Sequence, residues 1–164
     1  MQYLVRLSLL FVAVVSMVGC NTTSPQKYVE VTVLNTNLVT AYFRPPYFEE
    51  VMAHQGSAEA YVRQQTTTRV EQALKKVNKL NVTDETQPLI EASRDFLTYG
   101  KELFETEYID IAKMIDQQAP QSAIDTAIMG VFEKHTPIMD EKLTALETVA
   151  APFAKKHGVD LRFD

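Results

Sequence analysis

Cysteine occurs once in the chain, tryptophan not at all, histidine three times and glycine five times. One thiol cannot close a disulfide within the chain or build a cysteine zinc site. It cannot attach a c-type haem either, which needs Cys-x-x-Cys-His. The histidines, His54, His135 and His157, fall in no His-Glu-x-x-His motif. They also lack the paired Glu-x-x-His motifs of diiron bundles. Ser57, Ser93 and Ser122 have no Gly-x-Ser-x-Gly setting, so a serine hydrolase has no nucleophile here. The net charge is −5 and no basic stripe stands out, which disfavours a nucleic-acid partner. No internal repeat of 20–50 residues is found. No apolar run reaches the roughly 20 residues that a membrane-spanning helix needs.

What is present begins with a leader. Arg6 precedes an apolar run from Leu7 to Val18, and small residues follow it, the pattern of a secretory signal. The run ends in Met17-Val18-Gly19-Cys20, which contains the only cysteine. This tetrad resembles the lipobox of bacterial lipoproteins, with Gly19 in the small-residue slot before the cut. Met17 stands where leucine is usual, and Val18 where alanine or serine is usual. The resemblance implies cleavage after Gly19, a diacylglycerol on the Cys20 thiol and an acyl chain such as palmitate on the freed amine. One chain binds membrane marginally and two or more anchor it stably. By resemblance to enteric lipoproteins, Asn21 in place of aspartate implies the outer membrane, with the protein facing the periplasm. Lipid on Cys20 consumes the thiol, so the domain is expected to stand on packing alone.

The division expected is 1–19 signal peptide, 20–27 acylated tether and 28–164 helical domain. Asn21 to Lys27 is polar and turn-prone, which suits a tether. From Tyr28 to Arg44 two patterns compete. Val31, Leu34, Leu38 and Tyr42 lie at helical spacing. Val29, Val31 and Val33 alternate with Glu30 and Thr32 as a strand would. Helix is the preferred reading. A two-stranded ribbon with Val159, Leu161 and Phe163 is the alternative.

Pro45-Pro46 stops that element, and a short helix to His54 follows. Tyr42, Phe43, Arg44, Tyr47 and Phe48 gather at this corner. They are a candidate partner surface, because interfaces favour such residues; the competing reading packs them inward as an end cap. Ser57 is an N-cap for a helix to about Leu80, with Val70, Ala73, Leu74, Val77 and Leu80 as its apolar face. Lys75, Lys76 and Lys79 crowd its last turn, where cations complement the helix dipole; lipid phosphates are the other role open to them.

After a turn over 81–87, Leu89, Phe96 and Leu103 repeat every seven residues, as do Ile90, Leu97, Phe104 and Ile111. Tyr108, Ala112 and Ile115 extend the stripe. Gly100 interrupts it at a cost unless a neighbour packs close. Glu102, Glu105, Glu107 and Asp110 fall opposite this stripe and read as a solvated face. Beyond Ala119-Pro120 a last helical region runs to His157, with Ile124, Ile128, Val131, Phe132, Ile138, Leu146, Val149 and Phe153 as core candidates. Thr136-Pro137 reads as a break or kink within it, and Pro152 as a further bend. Lys155-Lys156-His157-Gly158 reads as its stop.

The expectation is an all-α, up-down bundle of four helices, with a fifth possible. Glu50 with His54 is a weak metal pair. His135 with Met114, Met129 or Met139 is a weak haem pair, since bundle cores collect methionine as filler. No catalysis, cofactor or metal is expected. The function this suggests is a non-catalytic envelope lipoprotein, held to the membrane by lipid on Cys20, whose bundle binds an unknown envelope protein. A pilotin-like escort factor is one version. A bundle that binds lipid or a small molecule, with its pocket beside Gly100 or the Thr136-Pro137 break, is the alternative.

Overall fold

The computed structural model describes residues 23–161. The expectations for Gly19 and Cys20 lie outside the described residues, as does Phe163 of the alternative ribbon. Among the described residues the protein is 79% helical and has no strand, so the fold is all-α. None of the described helices is long and apolar enough to cross a membrane.

Helix α1 is Pro25–Thr32. The Ser24 hydroxyl accepts the Lys27 amide and proline takes the first turn, where its missing N–H costs nothing. The expected tether is therefore shorter than 20–27, because Pro25 to Lys27 already belong to the helix. A 3-10 turn, Leu34–Thr36, and a helical turn, Asn37–Thr40, carry the same rod onward. Val29, Val31 and Val33 are all buried, along with Thr32 and Thr36. The strand-like alternation arises because α1 is covered on most of its circumference. The two buried threonines are tolerated because each hydroxyl donates to a carbonyl one turn back, Thr32 to Tyr28 at 2.7 Å and Thr36 to Val33.

Helix α2 is Pro46–Ala53. Helix α3 spans 58–77 and α4 spans 87–116. Each contains a π-helical turn, at Arg63–Thr67 in α3 and Phe104–Tyr108 in α4, and the two turns pack against each other. Helix α5 is Gln121–His157. Pro137 and Pro152 sit inside it, so of the two readings for Thr136-Pro137 the chain takes one continuous helix and not two. A proline inside a helix costs about 3 kcal/mol. Packing along α4 and α1 offsets it, with Val131, His135, Met139, Leu146, Ala150 and Phe153 buried along the length of α5. The stop at its end is as expected. Gly158 is left-handed at φ 65°, Val159 N–H reaches the Ala154 carbonyl at 2.9 Å, and Gly158 N–H the Lys155 carbonyl.

Hydrogen bonds between helices fix their directions. Ser93 on α4 donates to Thr32 at one end, and Tyr108 on α4 donates to the Tyr42 carbonyl at the other. The first rod therefore runs parallel to α4. Helix α3 runs antiparallel to α4, since Asp116 caps Ala58 while Arg94 meets Asn78. Helix α5 is antiparallel too, as Lys142 pairs with Asp95 and Lys134 with Glu107. The result is an up-down four-helix bundle with α2 as a short fifth helix across one end. The end that carries Thr23 is called the near end below, and the end closed by α2 the far end. Every core residue among those described lies between Tyr28 and Ala154, so a chain starting at Asn21 keeps all of them.

Candidate functional site

The far end is built on aromatic rings. Phe48 lies 4.7 Å from Tyr108 and 6.4 Å from Phe132, centroid to centroid. Tyr47 lies 5.1 Å from Tyr42 and 6.0 Å from Tyr108. Phe104 joins through Tyr108 at 4.8 Å, and Phe43 through Phe132 at 4.9 Å. Seven rings from the first rod, α2, α4 and α5 thus form one cluster. Tyr47 is 0% exposed and Phe48 1%. The expected partner surface is corrected accordingly: Tyr47 and Phe48 are core, Tyr42 and Phe43 are half-buried, and Arg44 alone is exposed, bonded to Glu50 and to the Ala41 carbonyl. The rings turn inward because Tyr108 and Phe132, distant in sequence, offer apolar surface to cover. The corner is an end cap.

The two buried phenols differ in one respect. Burial drives both ionisations far above the ordinary tyrosine range, so both stay protonated. Tyr108 donates to the Tyr42 carbonyl at 3.0 Å, while the Tyr47 hydroxyl has no partner among the described residues. A made hydrogen bond contributes about 1 kcal/mol and an orphaned buried group costs about 1–3 kcal/mol. Tyr47→Phe is therefore expected to stabilise the bundle and Tyr108→Phe to destabilise it, each by about 1 kcal/mol in urea unfolding.

Beside the cap lies the cleft that the sequence did not single out. Pro45, Phe48, Glu49, Met52, Asp125, Ile128 and Met129 line a hollow of about 180 Å³ between α2 and the start of α5. Met129 is 70% exposed, the most exposed large apolar side chain among those described. Glu49 and Asp125 stand on the rim, and neither forms an ion pair among the described residues; Asp125 accepts only the Gln121 amide at 2.8 Å. Sequence held one signal for it. Met129 follows Ile128 directly and so falls off the buried stripe of α5, which leaves a flexible thioether in water.

A second cluster joins α4 to α5. His135 is buried, and both its ring nitrogens are engaged: Nδ1 with the Tyr99 hydroxyl at 2.6 Å and Nε2 with Glu107 at 2.8 Å. Lys134 reaches the same Glu107 oxygen at 2.6 Å. Both nitrogens are bonded to protein, so haem ligation by His135 would have to displace one of these bonds. Glu107 departs from the solvated face expected for it, because the π-helical turn adds a residue and swings it toward α5. Glu102 and Asp110 stay exposed as expected, and Glu105 pairs with Lys101 at 2.7 Å.

Burial pushes the Glu107 carboxyl up, but hydrogen bonds from Lys134 and His135 outweigh it, so the net shift is downward from 4.5. A depressed folded value means that the stabilisation is present above the ordinary carboxylate range and is lost as pH falls through the folded value. Glu107→Gln is expected to flatten the acid limb of a stability-against-pH curve. Asp116 adds to that limb separately. Burial raises it, but the amides of Ala58 and Glu59 and the Ser57 hydroxyl lower it more.

The metal pair weighed from sequence does not assemble. Glu50 is engaged with Arg44, and His54 stacks on Tyr61 at 4.2 Å. No group of three or more metal-ligating side chains exists among the described residues. The space beside Gly100 is filled by Val39. No family model matches the chain, and neither a curated protein nor a solved structure matches it.

Proposed function

We propose that the chain is a bacterial envelope lipoprotein, anchored through lipid on Cys20, whose bundle binds a protein partner without catalysis. The Met17-Val18-Gly19-Cys20 tetrad supports the anchor, and Asn21 supports the outer membrane. The far-end cleft supports the binding role. From Cys20 to the cap at Ser24 the chain can span at most about 14 Å. The near end then rides on the bilayer. Helix α4, residues 87–116, is about 45 Å long, so the cleft stands that far out in the periplasm.

The observation that carries the partner reading is the chemistry of the cleft. A methionine held in water beside Met52 and Ile128, with two carboxylates outside every ion pair among the described residues, suits a cationic segment bearing one bulky apolar side chain. An escort role of the pilotin kind is one concrete form, by analogy of size and class.

A photo-crosslinker placed at Met129, and for comparison at Leu34 on the bundle's side, tests this in the native envelope. The expected result is one discrete product from position 129 only, lost when Glu49→Lys and Asp125→Lys reverse the rim. Equal products from both positions, or a product indifferent to the rim charges, would remove the cleft from the account.

A further inference from the structure

The near end is built differently. Thr23, Lys27, Val31, Lys76, Lys79 and Leu80 line a hollow of about 410 Å³ between the first turn of α1 and the end of α3. Val31 and Leu80 supply apolar lining, and three lysines belong to the same hollow. Lys27 pairs with Glu30 at 3.2 Å. Lys76 and Lys79 are exposed and form no ion pair among the described residues. Neighbouring acids are largely spoken for: Glu71 holds Lys75, and Glu85 holds both Lys156 and His157. Asp84 remains exposed on the turn. On that same turn Val82 is 54% exposed, two residues beyond Leu80.

We infer that this end is a docking face for anionic phospholipid. Lys76 and Lys79, with Lys27 beside them, meet headgroup phosphates, while Val82 enters the interface between headgroups and acyl chains. The inference rests on the proposed anchor for its setting. Three arguments select lipid as the occupant. Thr23 lies in the wall of the hollow, three residues along the chain from Cys20, so an anchored bundle presents this end to the bilayer. A chain of net charge −5 gathers uncompensated lysines here, where the surface opposite is negative. Each lysine near an anionic membrane adds to the attraction. The dipole at the end of α3 accounts for lysines in the last turn. It does not account for an exposed valine and an apolar-lined hollow beside them.

The test uses the chain starting at Asn21, which keeps every described core residue and lacks the anchor. Its sedimentation with phosphatidylethanolamine vesicles is measured with and without phosphatidylglycerol. Binding is expected only with phosphatidylglycerol, weakening as salt rises. Lys76→Gln with Lys79→Gln is expected to weaken it about ten-fold or more. Lys113→Gln at the far end should leave it unchanged, with helicity by circular dichroism equal in all forms. Equal binding to both vesicle types, no binding to either, or indifference to the paired lysine change would each overturn the inference. Failure of the anchor itself is read elsewhere, from the mass of the native protein. An acylated protein whose soluble form ignores phosphatidylglycerol would sink the docking face alone.

Discussion

Phe48→Ala is expected to cost about 3–5 kcal/mol, the range for truncating a buried phenylalanine. Phe48 is 1% exposed and packs against Tyr47, Tyr108 and Phe132, so it joins α2, α4 and α5 at once. The helices around it are held by other packing and cannot collapse freely into the space, which places the loss toward the upper part of that range. Domains of this size have a total stability of about 5–15 kcal/mol, so about a quarter or more of it is at stake. The expected readout is a fall in thermal midpoint of about 10–20 °C. Met129→Ala, in the cleft next door, should change stability by less than about 0.5 kcal/mol, because its side chain is mostly in water. The pair separates the two roles at the far end. A folded, stable Phe48→Ala would mean that the aromatic corner is a surface after all.

Gly100→Ala is expected to destabilise the bundle by about 1–3 kcal/mol, against the usual preference for alanine in helices. Alanine gains about 1 kcal/mol over glycine in a helix interior. At Gly100 that gain is overrun. A Cβ would stand 2.6 and 2.7 Å from the two Val39 methyls and 3.2 Å from the Val39 Cβ. Val39 is 0% exposed and β-branched, so turning its side chain does not clear the overlap. The first rod must move away from α4. Gly130→Ala is the control: nothing lies within 4 Å of its added Cβ, and it should stabilise by about 0.5–1 kcal/mol. Val39→Ala combined with Gly100→Ala should recover part of the loss but not all, because the Cβ of residue 39 stays close. Chemical denaturation of the three variants beside the unaltered protein measures each term.

These two positions also mark how far the sequence could be read. Gly100 sits on the strongest apolar stripe in the chain, and a glycine there already implies a close neighbour. Which neighbour was not legible, since Val39 is 61 residues away and belongs to an element whose valines resemble a strand. The stripe itself was legible, because Leu89, Ile90, Phe96, Leu97, Leu103 and Phe104 obey one periodicity and all are buried. So were the ends governed by local chemistry: the Ser57 cap accepts the Ala60 amide, and Gly158 takes the left-handed turn.

Where tertiary packing decides, sequence alone fell short. Tyr47 and Phe48 follow two prolines at a corner where sequence left both a partner surface and an inward end cap open, and nothing nearby announces that Tyr108 and Phe132 will close over them. Pro137 carries a local signal for a helix start that packing against α4 overrides. Glu107 obeys the polar face of an α-helix until the π-helical turn displaces it toward His135. The cleft at Met129 was hidden for a related reason. Its two walls come from α2 and α5, and only Met129's place just off the buried stripe hinted at exposure.

The most direct measurement is the intact mass and first residue of the native protein released from its own envelope. The expected result is a chain that starts at Cys20 and carries a diacylglycerol and an acyl chain there, with Cys20→Ser leaving the leader uncut and the protein without lipid. A native chain that starts at any other residue, or a free thiol on Cys20, would contradict it.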